Sequence, residues 1–287
     1  STDRSSPTLT IEPSTTTVAT EVIVVPLTAT PLRPTRTVTA TATETPLPLL
    51  ARLRSENGLD ANARHLTGGA AIIVDGNLNE WMGEPVPLVN PVYGRESWSG
   101  FDDLSGQARF AWNNECLYLA VERTDEEHYQ PRELTGNELY RGDAVELWID
   151  TKMADDDDES ESNRILQDDF HFAFSAGDLR TFGAEGIVYS LGPNDSRNQL
   201  LEVASEPLPS GYTLETCIPW SLLSITPGEN IALGYVVLLN DNDSPPSSEP
   251  QTVVASKELR LPRPLVSDNR ERRLRGLLTF GDLILSP

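Results

Sequence analysis

The 287-residue sequence is poor in several features, and each shortage excludes a class of protein or partner. It has no run of eighteen apolar residues, which excludes a membrane-spanning helix. Lys and Arg total 22 against 44 Asp and Glu, so the formal net charge is -22. Such a surface repels phosphate backbones and anionic lipid, which argues against nucleic acid and membrane surfaces as partners. Divalent cations and neutral polymers remain compatible with it.

Residues suited to catalysis are also scarce. The three histidines, His65, His128 and His171, have no metal-ligand spacing, and neither a nucleophile elbow nor a phosphate-binding loop occurs. Paired glycosidase carboxylates stay open among 44 acidic residues, but nothing singles out a pair. Axial haem ligands would have to come from these histidines or from Met82 and Met153. The sequence therefore predicts a protein that is not an enzyme.

The first fifty residues have little from which a core could be built. They contain fifteen Thr and seven Pro but no Gly, Cys or aromatic residue. All five Trp lie beyond residue 70, together with alternating apolar patterns. We therefore predict a Thr/Pro-rich stalk over residues 1–50, a polar connector over 51–69 and one folded domain over 70–287.

Two interpretations of the stalk are open. Its recurring Pro residues favour an extended, solvated spacer that could carry O-glycans. Alternatively, the apolar segment Thr17–Val25 ("TVATEVIVV") is a strand that adds to the sheet of a neighbouring subunit. In that case residues 10–30 mediate self-association.

The two cysteines, Cys116 and Cys217, each lie inside a strand-like run. We expect two small buried thiols there, since a small apolar residue would pack equally well at either position. A disulfide is the alternative in an exported protein. The chain begins at Ser1 without Met, which favours a processed, extracellular or cell-surface form.

The domain reads as many short strands separated by Gly, Pro, Asn and Asp. Asn113-Asn114 is a hairpin signal between two strands, and Asp143–Asp150 ("DAVELWID") alternates between two faces. No long amphipathic helix is evident. The pattern predicts an all-β fold, an antiparallel, jelly-roll-like β-sandwich. The remaining strand-like phrases are "AAIIVDG", "DFHFAFSAG", "GYTLETCIPW", "IALGYVVLLND" and "GLLTFGDLIL".

The order of these phrases resembles the family 9 carbohydrate-binding modules and the wider DOMON-like sandwich group. The resemblance extends from Ile73 to Leu285, through "IVDGNLNEW", "ARFAWNNECLYLAVERTD", "YRGDAVELWID", "GYTLETCIPWSLL", "LGYVVLLNDND" and "LTFGDLIL". It implies a β-sandwich that binds a sugar between two aromatic rings, backed by charged hydrogen-bonding groups.

The resemblance also implies three ligand-binding residues. Tyr140 stands where the family's W-x-x-D-x-x-E pattern begins with Trp, and Glu146 holds the position of the family carboxylate. His171 falls where sugar-binding members often have Arg, and a neutral imidazole is a weaker donor. The position of the second ring is occupied by Leu274.

A displaced aromatic residue could replace that second ring. Tyr93 and Trp98, in the "VYGRESWSGFDD" stretch, are the candidates. The resemblance places Trp81, Trp112 and Trp220 in the core.

The acidic segments predict calcium as a structural cofactor, since hard cations take carboxylate oxygens and relatives often carry calcium. Asp241 and Asp243, which follow a strand, are the predicted ligands. The stretch Ala154–Ser162 ("ADDDDESES") is either a solvated loop or a further contributor.

Taken together, the sequence predicts a non-catalytic, extracellular carbohydrate-binding sandwich on a stalk, with polysaccharide or glycan as partner. The alternative is a structural subunit of a cell-surface filament or layer, assembled through the N-terminal segment.

Overall fold

The computed structural model describes residues 61–67, 71–152, 167–243, 250–256 and 280–287. These residues form three 3-10 turns, Leu78–Glu80, Gly136–Arg141 and Ser196–Leu200, and a short helix, Trp220–Leu223. Their thirteen strands are β1 (Ala61–His65), β2 (Val86–Leu88), β3 (Asn90–Tyr93), β4 (Leu104–Trp112), β5 (Cys116–Asp125), β6 (Ala144–Asp150), β7 (Asp169–Ser175), β8 (Glu185–Val188), β9 (Glu202–Leu208), β10 (Gly211–Pro219), β11 (Ala232–Asp241), β12 (Thr252–Ala255) and β13 (Gly281–Leu285).

Several predictions concern positions outside the described residues. These are the stalk with its donor-strand interpretation, the acidic stretch Ala154–Ser162 and the loss of the second ring at Leu274. They stay predictions.

The strands form one hydrogen-bonded sheet in the order β8-β7-β6-β11-β13-β1-β4-β5-β10-β9, with β12 paired to β11 and β3, and β2 paired to β4. Residues from its two halves share one core: Leu147 of β6 and Leu119 of β5 are both fully buried in it. The ring of Phe110 on β4 meets that of Tyr235 on β11 edge to face, with centroids 5.4 Å apart. The sheet thus folds over itself, which confirms the predicted all-β sandwich.

β1 departs from the predicted antiparallel pairing, and it lies within residues 51–69, for which the sequence suggests a polar connector. It pairs in parallel with β13, where Ala61 is opposite Leu283, and with β4, where Ala63 is opposite Phe110. Its alternate residues Ala61 and Ala63 are buried. The sequence "ANARH" contains none of the strand-favouring residues Val, Ile, Thr, Tyr, Phe and Trp, so its strand character comes from the two neighbours that it joins.

The predicted hairpin between β4 and β5 is confirmed. Oδ1 of Asn113 accepts hydrogen bonds from the backbone N–H groups of Glu115 and Cys116, both at 2.8 Å. The Asn side chain thereby closes the turn on its own backbone. The two strands then pair antiparallel from Trp112–Leu117 to Leu104–Asp125.

The two cysteines form a disulfide, so the expectation of free thiols is wrong. In the antiparallel register, Cys116 lies opposite Pro219 and Cys217 lies opposite Tyr118. Both side chains therefore emerge on the same outer face, and their Cα atoms are 5.5 Å apart, within bridging range. Only the register of the two strands, which are 101 residues apart in sequence, brings them together.

The three tryptophans assigned to the core are buried, as predicted. Trp112 and Trp220 belong to the main core, and Trp81 covers the outer face beside the disulfide. Among the described residues, no helix has the length and apolar composition needed to cross a membrane.

Candidate functional site

Glu146 and His171 form the centre of the candidate site. Glu146 lies on β6 and His171 on β7, where the register places His171 opposite Trp148. Nε2 of His171 is 2.8 Å from Oε2 of Glu146. A carboxylate only accepts, so the imidazole donates this hydrogen bond. Both side chains are buried on the outer face of the sheet, away from the main core.

Two aromatic rings enclose the imidazole. The indole of Trp148 stacks on His171 with centroids 3.6 Å apart and planes 15° apart. Tyr189, just after β8, approaches the same imidazole at 4.6 Å and 57°. Trp148 shares a strand face with Glu146, as the alternation of β6 predicts. Sequence reasoning missed Tyr189, whose contact depends on how β8 pairs with β7.

Tyr140 lies in the 3-10 turn Gly136–Arg141, and its side chain is half-buried. Its backbone N–H donates to the hydroxyl of Tyr189 at 3.3 Å, and its carbonyl accepts from Nδ2 of Asn240 at 3.2 Å. The same Asn240 amide donates to Oε1 of Glu146. The structure therefore connects the predicted residues Tyr140, Glu146 and His171, through Asn240 and Tyr189. Sequence reasoning missed Asn240.

The two aromatic residues predicted as substitutes for the second ring have different surroundings. Tyr93, half-buried on β3, packs against the outer-face cluster that contains Trp148 and Val236. Trp98 instead packs against the main core, with its indole N–H donating to the carbonyl of Leu104 at 2.9 Å. These contacts anchor the ring of Trp98 to its own loop and to the core.

A second polar cluster surrounds the fully buried Arg123 of β5. Its guanidinium lies 2.7 Å from Asp125, 3.1 Å from Asp241 and 3.5 Å from Asp143. It also donates to the carbonyl of Asn240. One positive charge thus faces three carboxylates, so the guanidinium compensates only part of the buried negative charge.

Further carboxylates extend the Arg123 cluster toward the surface. Ligand atoms of Asp125, Asp241 and Asp243 lie within 4.8 Å of one another, as do those of Asp103, Glu126 and Asp243. Burial is the main cause that raises the pKa of Asp241 to about 8 and that of Asp243 to about 6. Neighbouring carboxylates contribute to both pKa values, and Arg123 opposes the rise for Asp241. The cluster therefore resists carrying its full negative charge.

The residues of this cluster fit a hard divalent cation. Oδ2 of Asp241 is buried without a hydrogen-bond partner within the described ranges, and Oδ1 of Asp243 likewise has none there. Oxygen donors converging from separated segments are the ligands that calcium prefers. The predicted ligands Asp241 and Asp243 thus lie together, but sequence reasoning missed Asp103 and Asp125, which only the fold brings beside them.

A third group, Asp125, His128 and Asp143, also has ligand atoms within 4.8 Å of one another. Nδ1 of His128 lies 3.4 Å from Asp143, while its Nε2 lies 2.7 Å from the carbonyl of Gly177. These contacts position the imidazole between a carboxylate and a backbone carbonyl.

A β-sandwich with a carboxylate, an imidazole and aromatic rings on an outer sheet face has the architecture of a carbohydrate-binding module. Residues 74–258 match the family described as "Carbohydrate family 9 binding domain-like". The chain belongs to this family, whose members are non-catalytic binding modules. The resemblance seen in the sequence is thereby confirmed.

Solved structures of the same family share the fold. A carbohydrate binding module family 9 from Caldicellulosiruptor kristjanssonii in complex with cellotriose is 16% identical, with a TM-score of 0.54, covering 79% of this chain and 94% of that one. The same organism's module in complex with glucose is also 16% identical, with a TM-score of 0.53, covering 79% and 96%. No curated protein matches the chain.

Proposed function

We propose that this protein is a non-catalytic module that binds neutral glucose-containing oligosaccharides or polysaccharides through Tyr140, Glu146 and His171. The observation that carries the proposal is the hydrogen-bonded connection, through Asn240, between the backbone of Tyr140 and the Glu146–His171 pair on the outer face of the sheet. A sugar presents an apolar C–H face and directional hydroxyls, so it needs both a flat ring and fixed polar groups. Tyr140 supplies the ring, and the hydrogen-bonded pair of Glu146 and His171 supplies the fixed polar groups behind it.

The class of ligand is supported by charge and by relatives. With a net charge of -22, the surface favours neutral over acidic polymers. The family 9 modules from Caldicellulosiruptor kristjanssonii contain cellotriose and glucose. Glucose and cellotriose are therefore the first probes to use.

Isothermal titration calorimetry with cellotriose tests the proposal. Tyr140→Ala removes the ring, and Glu146→Gln removes the carboxylate while keeping its shape; each should weaken binding at least about tenfold, the equivalent of 1.4 kcal/mol. Phe101→Ala, which truncates an exposed aromatic residue outside the cluster, is the matched control. Absence of binding to cellotriose, glucose and a panel of soluble glycans would overturn the proposal.

We also propose that the protein acts outside the cell, with residues 1–50 as the stalk. The Cys116–Cys217 disulfide supports this location, since such bonds persist in oxidising compartments. Thiol labelling of the protein taken from its native source should find both cysteines oxidised, and intact mass should reveal any O-glycans. Free thiols in freshly isolated native protein would contradict this assignment.

Finally, we propose that the cluster of Asp125, Asp241 and Asp243 holds calcium as a structural ion. The unpartnered carboxylate oxygens support this assignment. Calcium should raise the thermal midpoint of chelator-treated protein, and Asp241→Asn should abolish the increase. Glu202→Gln, on the exposed edge strand β9, is the control. An unchanged midpoint at millimolar calcium would contradict the site.

A further inference from the structure

The end of β11 and the two residues after it have two chemically different sides. The sequence there is Asn240-Asp241-Asn242-Asp243, and strand geometry sends successive side chains to opposite faces. The two Asn side chains contact the segment that carries Tyr140, and the two Asp side chains contact the carboxylate cluster. One short segment of backbone therefore belongs to both sites.

On the Asn side, the contacts hold the Tyr140 turn in place. Asn240 donates to the carbonyl of Tyr140 at 3.2 Å, and Asn242 donates to the carbonyl of Arg141 at 2.6 Å. The backbone N–H of Asn242 donates to Oδ1 of Asp143 at 2.8 Å, just beyond the turn. Three points of the turn and its exit are thus fixed by two residues at or just beyond the end of β11.

On the Asp side, the same backbone is held by charge. The guanidinium of Arg123 donates to the carbonyl of Asn240 and to Oδ1 of Asp241. Asp241 is 1% exposed, and its Oδ2 has no hydrogen-bond partner within the described part of the chain. A carboxylate oxygen of Asp241 lies within 4.8 Å of ligand atoms of Asp125 and Asp243. Like charges at this separation repel one another unless a cation lies between them.

We propose that the Asn240–Asp243 segment couples the two sites: Asn240 and Asn242 are positioning residues for the Tyr140 turn, and a divalent cation bound by Asp241 and Asp243 strengthens carbohydrate binding. This inference rests on the proposed function. The cation does not touch the ligand. It acts by ordering the backbone between its two Asp ligands.

The sign of the coupling follows from the cost of ordering. Without the cation, no ion joins Asp241 to Asp243, so the segment that holds the turn is less ordered. With it, the segment is already ordered, so a ligand that requires a fixed Tyr140 loses less conformational entropy on binding. Linkage then requires that the carbohydrate strengthens cation binding by the same factor.

The first experiment is a thermodynamic cycle on the full chain with calcium and cellotriose as probes. Calorimetry measures the cellotriose Kd in excess chelator and in saturating calcium, and the calcium Kd with and without cellotriose. We expect each ligand to lower the Kd of the other by the same factor, at least about fivefold. Equal cellotriose affinities with and without calcium would overturn the coupling while leaving the proposed function intact.

Asn242→Ala isolates the positioning role. It removes the contact with Arg141 but keeps both Asp ligands, so calcium should still bind within about twofold of wild type, while its effect on cellotriose disappears. Asn62→Ala, which truncates an exposed Asn on β1, should keep the full effect. If calcium still strengthens cellotriose binding in folded Asn242→Ala, the contacts of Asn242 are not the link between the two sites.

The second experiment needs no carbohydrate. The protein is labelled with 3-fluorotyrosine, and the fluorine NMR signal of Tyr140 is assigned by its loss in Tyr140→Phe. This signal reports directly on the conformation of the turn. Calcium should narrow or shift the Tyr140 signal in the wild type and leave it unchanged in Asn242→Ala. A response without any cellotriose binding would refute the proposed function but support the structural link. A silent Tyr140 signal, or no calcium binding at all, would refute the link itself.

Discussion

His171 stacks on Trp148 with ring centroids 3.6 Å apart, while its Nε2 donates to the carboxylate of Glu146. The imidazole therefore has two roles: it packs against the indole of Trp148, and it donates a hydrogen bond to the buried carboxylate of Glu146. His65 provides a comparison, because it stacks on Trp112 at 3.9 Å but has only a distant carboxylate, Glu229 at 4.0 Å.

His171→Ala should destabilise the protein more than His65→Ala. Removal of His171 leaves a cavity and one Glu146 oxygen without its donor, which should cost about 2–4 kcal/mol in the free energy of unfolding. His65→Ala loses mainly a stacking contact, at about 1 kcal/mol. Urea unfolding followed by tryptophan fluorescence measures both. Equal losses would show that the Glu146 contact contributes little.

Arg123→Met should destabilise the fold strongly, because it leaves Asp125, Asp143 and Asp241 buried without their shared cation. A loss of about 3–5 kcal/mol is expected. Calcium should restore part of it if the ion occupies the neighbouring carboxylates. Arg109→Met, at a partly exposed position on β4, serves as the comparison. A variant as stable as wild type in chelator would mean that the three carboxyl groups are protonated there.

Glu215→Gln tests a buried carboxyl outside both sites. Glu215 accepts from the indole of Trp81 and from the backbone of Asp75 and Gly76, and burial raises its pKa above 4.5. A raised pKa in the folded state contributes stability below the unfolded pKa, and this contribution is lost as pH rises through the folded value.

Stability of the wild type should therefore decline from about pH 4.5 upward by an amount that Glu215→Gln no longer shows. Denaturation midpoints measured at half-unit pH intervals provide the comparison. Glu202→Gln, exposed on β9, should follow the wild-type curve. Parallel curves for wild type and Glu215→Gln would exclude Glu215 as the source.

Removal of the disulfide should lower stability without changing the site. The bond closes a loop between residues 101 apart, and its loss in a Cys116→Ala/Cys217→Ala variant should cost about 3–5 kcal/mol, mainly by freeing the unfolded chain. Cellotriose affinity should stay unchanged, because the bond lies on the opposite half of the sheet. Thermal unfolding with and without reductant supplies the same comparison in the wild type.

Local patterns predicted the fold well where strands are long and alternate. The alternation of side chains in Ala144–Asp150 predicts which residues lie on each face of the strand. The turn at Asn113 is predictable because its hydrogen bonds join residues that are close in sequence. β1 escaped prediction since "ANARH" becomes a strand only through its two parallel neighbours. The cysteine pairing escaped for a related reason, because it depends on the register between β5 and β10.

The sequence by itself determined the strand pattern, the acidic charge and the family, because these depend on composition and on side-chain alternation over a few residues. Only the tertiary structure decided which side chains meet. Asn240 reaches Glu146 from β11, Tyr189 reaches His171 from beyond β8, and Asp103 joins Asp243 across 140 residues of sequence. Such contacts arise from strand order and register, which are set by burial of the whole core and not by any local segment.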